Sequence, residues 1–167
     1  AIALAKKNGI SIEQSLNSIE HFVGVKRRTE FIGKFNGVNF YDDYGHHPTE
    51  IKATTKALKE NTVGNLIVIF QPHRFTRTRD HFDDLKNSFN YSDLTLITDI
   101  YSAGEKPIPG VSSLLFEGEG IKYIKSPRLV PHYVKTSINP GDTVLTIGAG
   151  DITLLGPQIL KYLNENK

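Results

Sequence analysis

The stretch Asn65-Leu66-Ile67-Val68-Ile69-Phe70 is apolar on both of the faces that a β-strand would present. A short run of this kind is typical of a central parallel strand that is covered on both sides. A second run, Thr143-Val144-Leu145-Thr146-Ile147, has the same character much later in the chain. The two runs predict the middle of a parallel sheet with helices on both faces.

Helix patterns alternate with strand patterns outward from these two runs. Strands are predicted at 29–35, 38–41, 65–70, 94–98, 121–124 and 143–147, and helices at 48–58, 78–89, 111–116, 128–136 and 152–163. Asn36-Gly37 lies between the first two strands, and this dipeptide is typical of a type I′ hairpin turn. The alternation predicts a doubly wound α/β domain with a mostly parallel sheet, right-handed crossovers and an N-terminal β-hairpin.

Residues 1–23 predict a short helical appendage. Residues 1–7 resemble the end of a helix, and Ser11 with Gln14 predicts the capping box of a second helix. Apolar residues recur along one side of that second helix and predict a buried face: Ile12, Leu16 and Ile19. The chain contains no methionine, even at position 1, so we expect a fragment whose first 23 residues end a preceding domain.

Composition excludes several classes of function. The 167 residues carry 20 Lys and Arg against 18 Asp and Glu, and this balance does not favour a nucleic-acid binder that depends on bulk charge. The absence of cysteine excludes a disulfide scaffold, thiol catalysis and cysteine-ligated zinc. No apolar run approaches the roughly 18 residues of a membrane span, and no signal peptide opens the chain.

The loop after the predicted hairpin, residues 41–48, carries Asp43, Tyr44, His46 and His47 just before a helix. Ligands of open α/β sheets bind beyond the carboxyl ends of the strands, and a helix N-terminus favours anions. The loop therefore predicts a polar ligand site, the alternative being a polar loop that only caps the helix. A metal site is disfavoured because adjacent histidines on a loop usually diverge.

The loop after the most apolar strand, residues 71–79, carries His73, Arg74 and Arg77. Guanidinium groups bind carboxylates and phosphates through paired hydrogen bonds. Arg74 and Arg77 are three residues apart, so one helical turn would place them on the same side. This loop predicts an anion site, and the alternative is a solvated basic face.

Two further segments have ambiguous patterns. Gly148 and Gly150 start like a dinucleotide fingerprint, but Thr153 replaces its third glycine, which disfavours a nucleotide-dependent oxidoreductase. These glycines predict either close backbone approach to a small ligand or a tight turn. The run 26–30, which includes Arg28, is either a solvated face or a contact to phosphate on a neighbouring domain. No phosphate loop and no nucleophile elbow occur, so we expect no catalytic residue in this chain.

Three motifs together resemble the C-terminal domain of the Mur ligases, over nearly the whole chain. They are Asp42-Asp43-Tyr44-Gly45-His46-His47-Pro48-Thr49-Glu50, Phe70-Gln71-Pro72-His73-Arg74-Phe75-Thr76-Arg77-Thr78-Arg79-Asp80 and Gly148-Ala149-Gly150-Asp151-Ile152. The second motif resembles most the members that join L-alanine to UDP-N-acetylmuramate. The alternatives are a murein tripeptide ligase, which shares a similar first motif, and a non-catalytic anion-binding α/β module.

The resemblance implies a Rossmann-like domain at 24–167 that closes over a central ATPase domain, to which residues 1–23 belong. It implies amide ligation through an acyl phosphate in cytoplasmic peptidoglycan precursor synthesis. ATP and Mg²⁺ would be bound mainly by the missing central domain, so the fragment alone should be inactive. Neither a nucleic acid nor a membrane is an expected partner.

The resemblance also implies roles for individual residues. Arg28 would approach the ATP phosphates, and Asp43 would contact the ATP ribose. The carboxylate of L-alanine would be held by His73, Arg74 and Arg77. The rest of the implied substrate pocket is lined by Tyr44, His46, His47, Gly148 and Gly150.

Overall fold

The computed structural model describes residues 1–22 and 24–166, so Val23 at the end of the predicted appendage and Lys167 lie outside the described residues. The strands are β1 Glu30–Phe35, β2 Val38–Asp43, β3 Leu66–Phe70, β4 Leu94–Ile97, β5 Ile121–Tyr123 and β6 Thr143–Ile147. The α-helices are α1 Ile2–Lys7, α2 Ile12–Glu20, α3 Pro48–Glu60, α4 Phe75–Asp80, α5 Phe82–Lys86, α6 Val130–Ser137 and α7 Leu155–Glu165. Single 3₁₀ turns cover Asn87–Phe89, Ser113–Phe116, Pro127–Leu129 and Asp151–Leu154.

The strands form one sheet in the order β1-β2-β6-β3-β4-β5. β1 pairs antiparallel with β2, and the remaining neighbours pair in parallel. Asn36 and Gly37 have φ values of 44° and 84°, the positive values that a type I′ turn requires. The predicted doubly wound α/β fold with an N-terminal hairpin is confirmed.

The core has one apolar layer on each face of the sheet. β3 and β6 are buried along their whole length. α6 and α7 pack on one face through Val130 and Ile159, and α3 and α5 pack on the other through Ile51 and Leu85. The chain therefore leaves β2 and β3 toward one face and leaves β6, which lies between them, toward the other. This divergence opens a crevice at the carboxyl ends of the three strands.

The helix predicted at 78–89 is wrong in its bounds. The structure has α4 from Phe75 to Asp80, a break at His81, then α5 and a 3₁₀ turn. α4 begins earlier because Glu105, from a loop 29 residues away in sequence, accepts hydrogen bonds from the amide and hydroxyl of Thr76. A cap supplied by another loop leaves no signal in the local pattern.

The second strand is longer than the 38–41 that the pattern predicts. Parallel pairing with β6 continues through Asp43, which lies opposite Ile147. Asp42 and Asp43 are therefore strand residues, and the loop proper begins at Tyr44. Asp42 and Asp43 stay in β2 because β6 extends as far as β2 and continues to pair with it.

The predicted buried face of α2 is wrong for this chain. Ile12, Leu16 and Ile19 are 51%, 52% and 49% exposed. α2 packs against α1, which is too short to cover that side. The predicted capping box of Ser11 and Gln14 is confirmed. Across residues 1–22 and 24–166, no helix combines the length and the apolar character needed to cross a bilayer.

Candidate functional site

Three loops meet at the carboxyl ends of β2, β3 and β6. They are the histidine loop (residues 44–47), the arginine loop (residues 71–79) and the glycine loop (residues 148–150). The amide of Gly148 donates to the carbonyl of Asp43, and the amide of Gln71 donates to the carbonyl of Ile147. The loops that the sequence predicted as ligand-binding are therefore brought together.

Histidine and tyrosine rings connect the first two loops. The ring centroid of His46 lies 5.2 Å from that of Tyr44 and 5.7 Å from that of His73. His47 turns the other way, because its Nδ1 accepts from the amide of Thr49 and its ring packs 5.3 Å from His81. His47 therefore serves the N-terminus of α3, apart from the other predicted residues. No set of three or more His, Cys, Asp or Glu suited to a metal ion occurs within the described part of the chain.

Glu50 occupies the amino end of α3. Its Oε2 accepts from the amides of His46 and His47, each at 3.2 Å. Burial alone would raise the pKa of this carboxyl, but the two amides and the nearby His46 and Arg28 outweigh it, so the pKa lies below its usual value. The amide groups at the positive end of α3 are thus partly satisfied from within the chain.

The arginine loop starts from a strained backbone. Arg74 has a φ of 72°, a left-handed conformation that costs a residue with a side chain about 1–3 kcal/mol. Its amide donates to the carbonyl of Tyr101 at 2.8 Å, and its carbonyl accepts from the amide and hydroxyl of Thr78. Such strain is concentrated at functional sites, where the surroundings hold it in place.

Two buried nitrogens in the arginine loop have no hydrogen-bond partner among residues 1–22 and 24–166. They are Nδ1 of His73 and Nη1 of Arg77. Burying a polar group without a hydrogen-bond partner costs about 1–3 kcal/mol. A hydrogen-bond acceptor on a ligand would therefore recover part of this free energy. Arg79 differs, because it is exposed and its Nε donates to Asp80 at 2.7 Å.

His73 is surrounded by positive groups. Burial lowers the pKa of His73 below the usual value and is the largest cause. The nearby His46, Arg77 and Arg74 lower the pKa further, while Glu105 weakly raises it. These surroundings therefore favour the neutral form of the imidazole in the free protein. A bound anion would reverse part of this effect.

Both acidic residues at the end of β2 are buried and engaged within the chain. Asp43 accepts from the amides of Thr29 and Gly45, each at 2.7 Å. Asp42 accepts from the hydroxyls of Thr146 and Thr153, each at 2.7 Å. Asp43, for which the sequence predicted a ligand contact, thus holds the chain entering β1 and the histidine loop.

Arg27 is a site residue that the sequence analysis did not select. Its Nη2 donates to the carbonyl of Gly148 at 2.6 Å, and its guanidinium lies 4.8 Å from the Tyr44 ring centroid. Arg28, which was selected, is more exposed and lies at the rim, with Nη1 3.7 Å from Glu50. The positive φ of Arg27 and its inward direction cannot be recognised from a run of basic residues.

Tyr101 is the second residue that the sequence analysis missed. It follows β4, and its ring stacks on His73 with centroids 5.6 Å apart and planes 17° apart. The rule that ligand residues follow parallel strands applies to this loop as well, so a search of the segment after β4 could have found it.

Comparison with known proteins identifies the family of this chain. A family model described as "Mur ligase, glutamate ligase domain" matches residues 27–150. The chain belongs to the Mur ligase family. The three loops of the site fall within the matched range.

Individual Mur ligases resemble most of the chain. A protein from Desulforamulus reducens named UDP-N-acetylmuramate–L-alanine ligase is 40% identical over 99% of this chain, and one of the same name from an Anaeromyxobacter species is 41% identical over 97%. The chain spans 37% of the length of each relative.

A solved structure shares the fold. The UDP-N-acetylmuramate-alanine ligase of Thermotoga maritima superposes with a TM-score of 0.80 at 23% identity, over 99% of this chain and 36% of that one. At this identity the likeness establishes the Mur ligase fold alone.

Proposed function

We propose that the chain is the C-terminal, amino-acid-binding part of an ATP-dependent ligase that joins L-alanine to UDP-N-acetylmuramate in cytoplasmic peptidoglycan precursor synthesis. The relatives that are about 40% identical over nearly all of the chain and bear that ligase name support this proposal. Residues 24–167 would form the C-terminal domain. Residues 1–23 would end the preceding one, as the exposed apolar side of α2 supports.

The observation that carries the proposal is the pair of unpartnered buried nitrogens on His73 and Arg77, next to the strained Arg74. The three side chains supply hydrogen-bond donors and positive charge to one small region. A guanidinium group matches the two oxygens of a carboxylate. L-Alanine presents a carboxylate of this kind and leaves its amine free to react.

The proposed reaction needs positioning more than proton transfer from this domain. The substrate carboxylate takes the γ-phosphoryl group of ATP, and ADP leaves. The alanine amine then attacks the acyl carbon, the C–N bond forms, the amine loses its proton and phosphate departs. Holding the alanine carboxylate would place the amine near the acyl phosphate, which supplies proximity and orientation.

The family resemblance implies further contacts of the proposed site. Arg28, exposed at the rim, would reach the ATP phosphates. The resemblance also implies a ribose contact for Asp43, whose carboxylate already accepts from the amides of Thr29 and Gly45 and would have to share these oxygens with the ribose. Tyr44, His46, Gly148 and Gly150 would border the alanine pocket. ATP and Mg²⁺ would be held mainly by the preceding domain, so the 167-residue chain alone should release no ADP.

The test compares arginine variants of the full-length protein in an assay of ADP release with UDP-N-acetylmuramate, ATP and L-alanine. For Arg74→Ala and Arg77→Ala we expect the alanine KM to rise about tenfold to a hundredfold, since a charge-assisted hydrogen bond contributes about 1.5–3 kcal/mol. The ATP KM should change much less.

Arg79→Ala is the matched control, because Arg79 belongs to the same loop but pairs with Asp80 in solvent. Equal changes in the alanine and ATP KM values would contradict the assignment of the arginine loop. Wild-type protein that releases ADP only when a free tripeptide replaces L-alanine as the amine substrate would indicate a murein tripeptide ligase. No amino-acid-dependent release with any acceptor would leave a non-catalytic anion-binding module.

A further inference from the structure

Tyr101 supports one side of His73. Its ring stacks on the imidazole with centroids 5.6 Å apart, and His46 lies toward the same imidazole with a centroid distance of 5.7 Å. Stacking that is nearly parallel restricts rotation of the imidazole about its side-chain bonds. The direction of the unpartnered Nδ1 of His73 therefore depends on Tyr101.

Gly150 makes room for this tyrosine. A Cβ atom at position 150 would lie 2.7 Å from Cγ of Tyr101 and 2.5 Å from Oε1 of Gln71. Both distances are too short for any side chain to fit without displacement. The glycine loop thus allows Tyr101 to lie against it, a role that differs from contact with a ligand.

The backbone of Tyr101 is joined to the arginine loop as well. Its amide donates to the carbonyl of Pro72, and its carbonyl accepts from the amide of Arg74, both at 2.8 Å. The main chain of one residue thus stabilises the strained start of the arginine loop, while its ring packs on His73. A substitution that removes only the ring separates these two contributions.

We propose that Tyr101 is a positioning residue, whose ring orients the imidazole of His73 toward the carboxylate of the incoming amino acid. This inference rests on the proposed function, because that function supplies the carboxylate. The hydroxyl of Tyr101 has no part in it. Phenylalanine should therefore replace tyrosine here, and an aliphatic side chain should not.

Full-length Tyr101→Phe, Tyr101→Leu and Tyr101→Ala test the proposal. We expect Tyr101→Leu and Tyr101→Ala to raise the alanine KM by roughly tenfold and to change kcat less than about twofold, since ground-state positioning of alanine is lost. Tyr101→Phe should match the wild type. Tyr123→Ala is the control, because it removes a half-buried ring at the same sheet edge whose hydroxyl bonds to Asp99.

A second readout needs no substrate. The pKa of His73, followed by NMR of the ¹³C-labelled imidazole, should rise toward its usual value in Tyr101→Ala, because loss of the ring exposes the imidazole to water. It should stay unchanged in Tyr101→Phe. A wild-type enzyme without alanine-dependent turnover would overturn the proposed function. The imidazole titration would still test whether the Tyr101 ring shields His73. Unchanged alanine KM and His73 titration in Tyr101→Ala would overturn the role of Tyr101.

Discussion

Asp43 is buried at the carboxyl end of β2, with its two carboxylate oxygens accepting from backbone amides on either side of it in sequence. Thr29, one of the donors, has a φ of 46°, which is unusual for a β-branched residue. Gly45 is the other donor, at the start of the histidine loop. This carboxylate therefore stabilises a strained entry to β1 as well as the loop that would face a ligand.

For Asp43→Asn we expect the free energy of unfolding to fall by about 1–3 kcal/mol, because the amide of either Thr29 or Gly45 loses its acceptor. Urea denaturation of the chain measures this change. The control is Asp83→Asn on the exposed side of α5, which should stay within about 0.5 kcal/mol of the wild type. A raised ATP KM with unchanged stability would instead assign Asp43 to the ligand alone.

His73 predicts a pH dependence of alanine binding. Its pKa is lowered in the free protein by burial and by the adjacent His46, Arg77 and Arg74, against a weak opposing effect of Glu105. A bound carboxylate favours the imidazolium form, so binding takes up a proton. The alanine KM of the full-length protein should therefore fall as the pH decreases toward the free pKa of His73 and should level off below it.

The measurement is the alanine KM as a function of pH in the wild type and in His73→Gln. The alanine KM of His73→Gln should depend much less on pH. His132→Gln, on the exposed side of α6, should keep the wild-type profile. A His73→Gln profile identical to that of the wild type would show that another group titrates. His46→Gln then identifies whether that group is the neighbouring imidazole.

At the scale of elements, α4 depends on a cap from outside the helix. The amide and hydroxyl of Thr76 donate to Glu105, and these bonds hold the pKa of that carboxyl below its usual value. α4 has six residues, too few to be stable alone, and it carries Arg77. The cap therefore connects the loop after β4 to the orientation of the arginine loop.

Glu105→Ala should raise the alanine KM of the full-length protein about threefold to tenfold, because Arg77 loses its fixed orientation as α4 frays. The ATP KM should stay close to its wild-type value. Glu117→Ala, at an exposed position after a 3₁₀ turn, is the control. An alanine KM that does not change would mean that α4 keeps its position without the cap.

At the scale of the whole molecule, residues 1–22 differ from the α/β domain. α1 and α2 pack against each other, and large apolar side chains within residues 1–22 are exposed, including Leu4 of α1 at 66% and Phe22, which follows α2, at 64%. Helices of six and nine residues are marginal without burial. The sheet and its two apolar layers do not need this appendage for their own core.

A chain that starts at Gly24 should therefore keep the free energy of unfolding of the longer chain to within about 1 kcal/mol. Urea denaturation of the two chains measures the difference. Amide hydrogens of α1 and α2 should also exchange much faster than those of β3 and β6 in the longer chain. A large loss of stability on deletion would show that the appendage packs on the domain.

Local patterns were sufficient for much of the fold. β3 and β6 were predictable because their apolar runs leave no face for solvent, and the hairpin was predictable because Asn36-Gly37 adopts two positive φ values. The loops of the site followed from the rule that ligands bind beyond the carboxyl ends of parallel strands. The limits of α4 were not predictable, because Glu105 caps it from a distant loop.

The sequence by itself determined the class of fold, the positions of the candidate loops and the presence of residue types suited to an anion, since periodicity and turn chemistry are local properties. The tertiary structure alone decided which side chains meet. It brought Arg27 to the carbonyl of Gly148, 121 residues away, and it turned Arg28 to the rim. It also placed Tyr101 against His73. Such contacts depend on the order of the strands in the sheet. The local sequence around each residue does not encode that order.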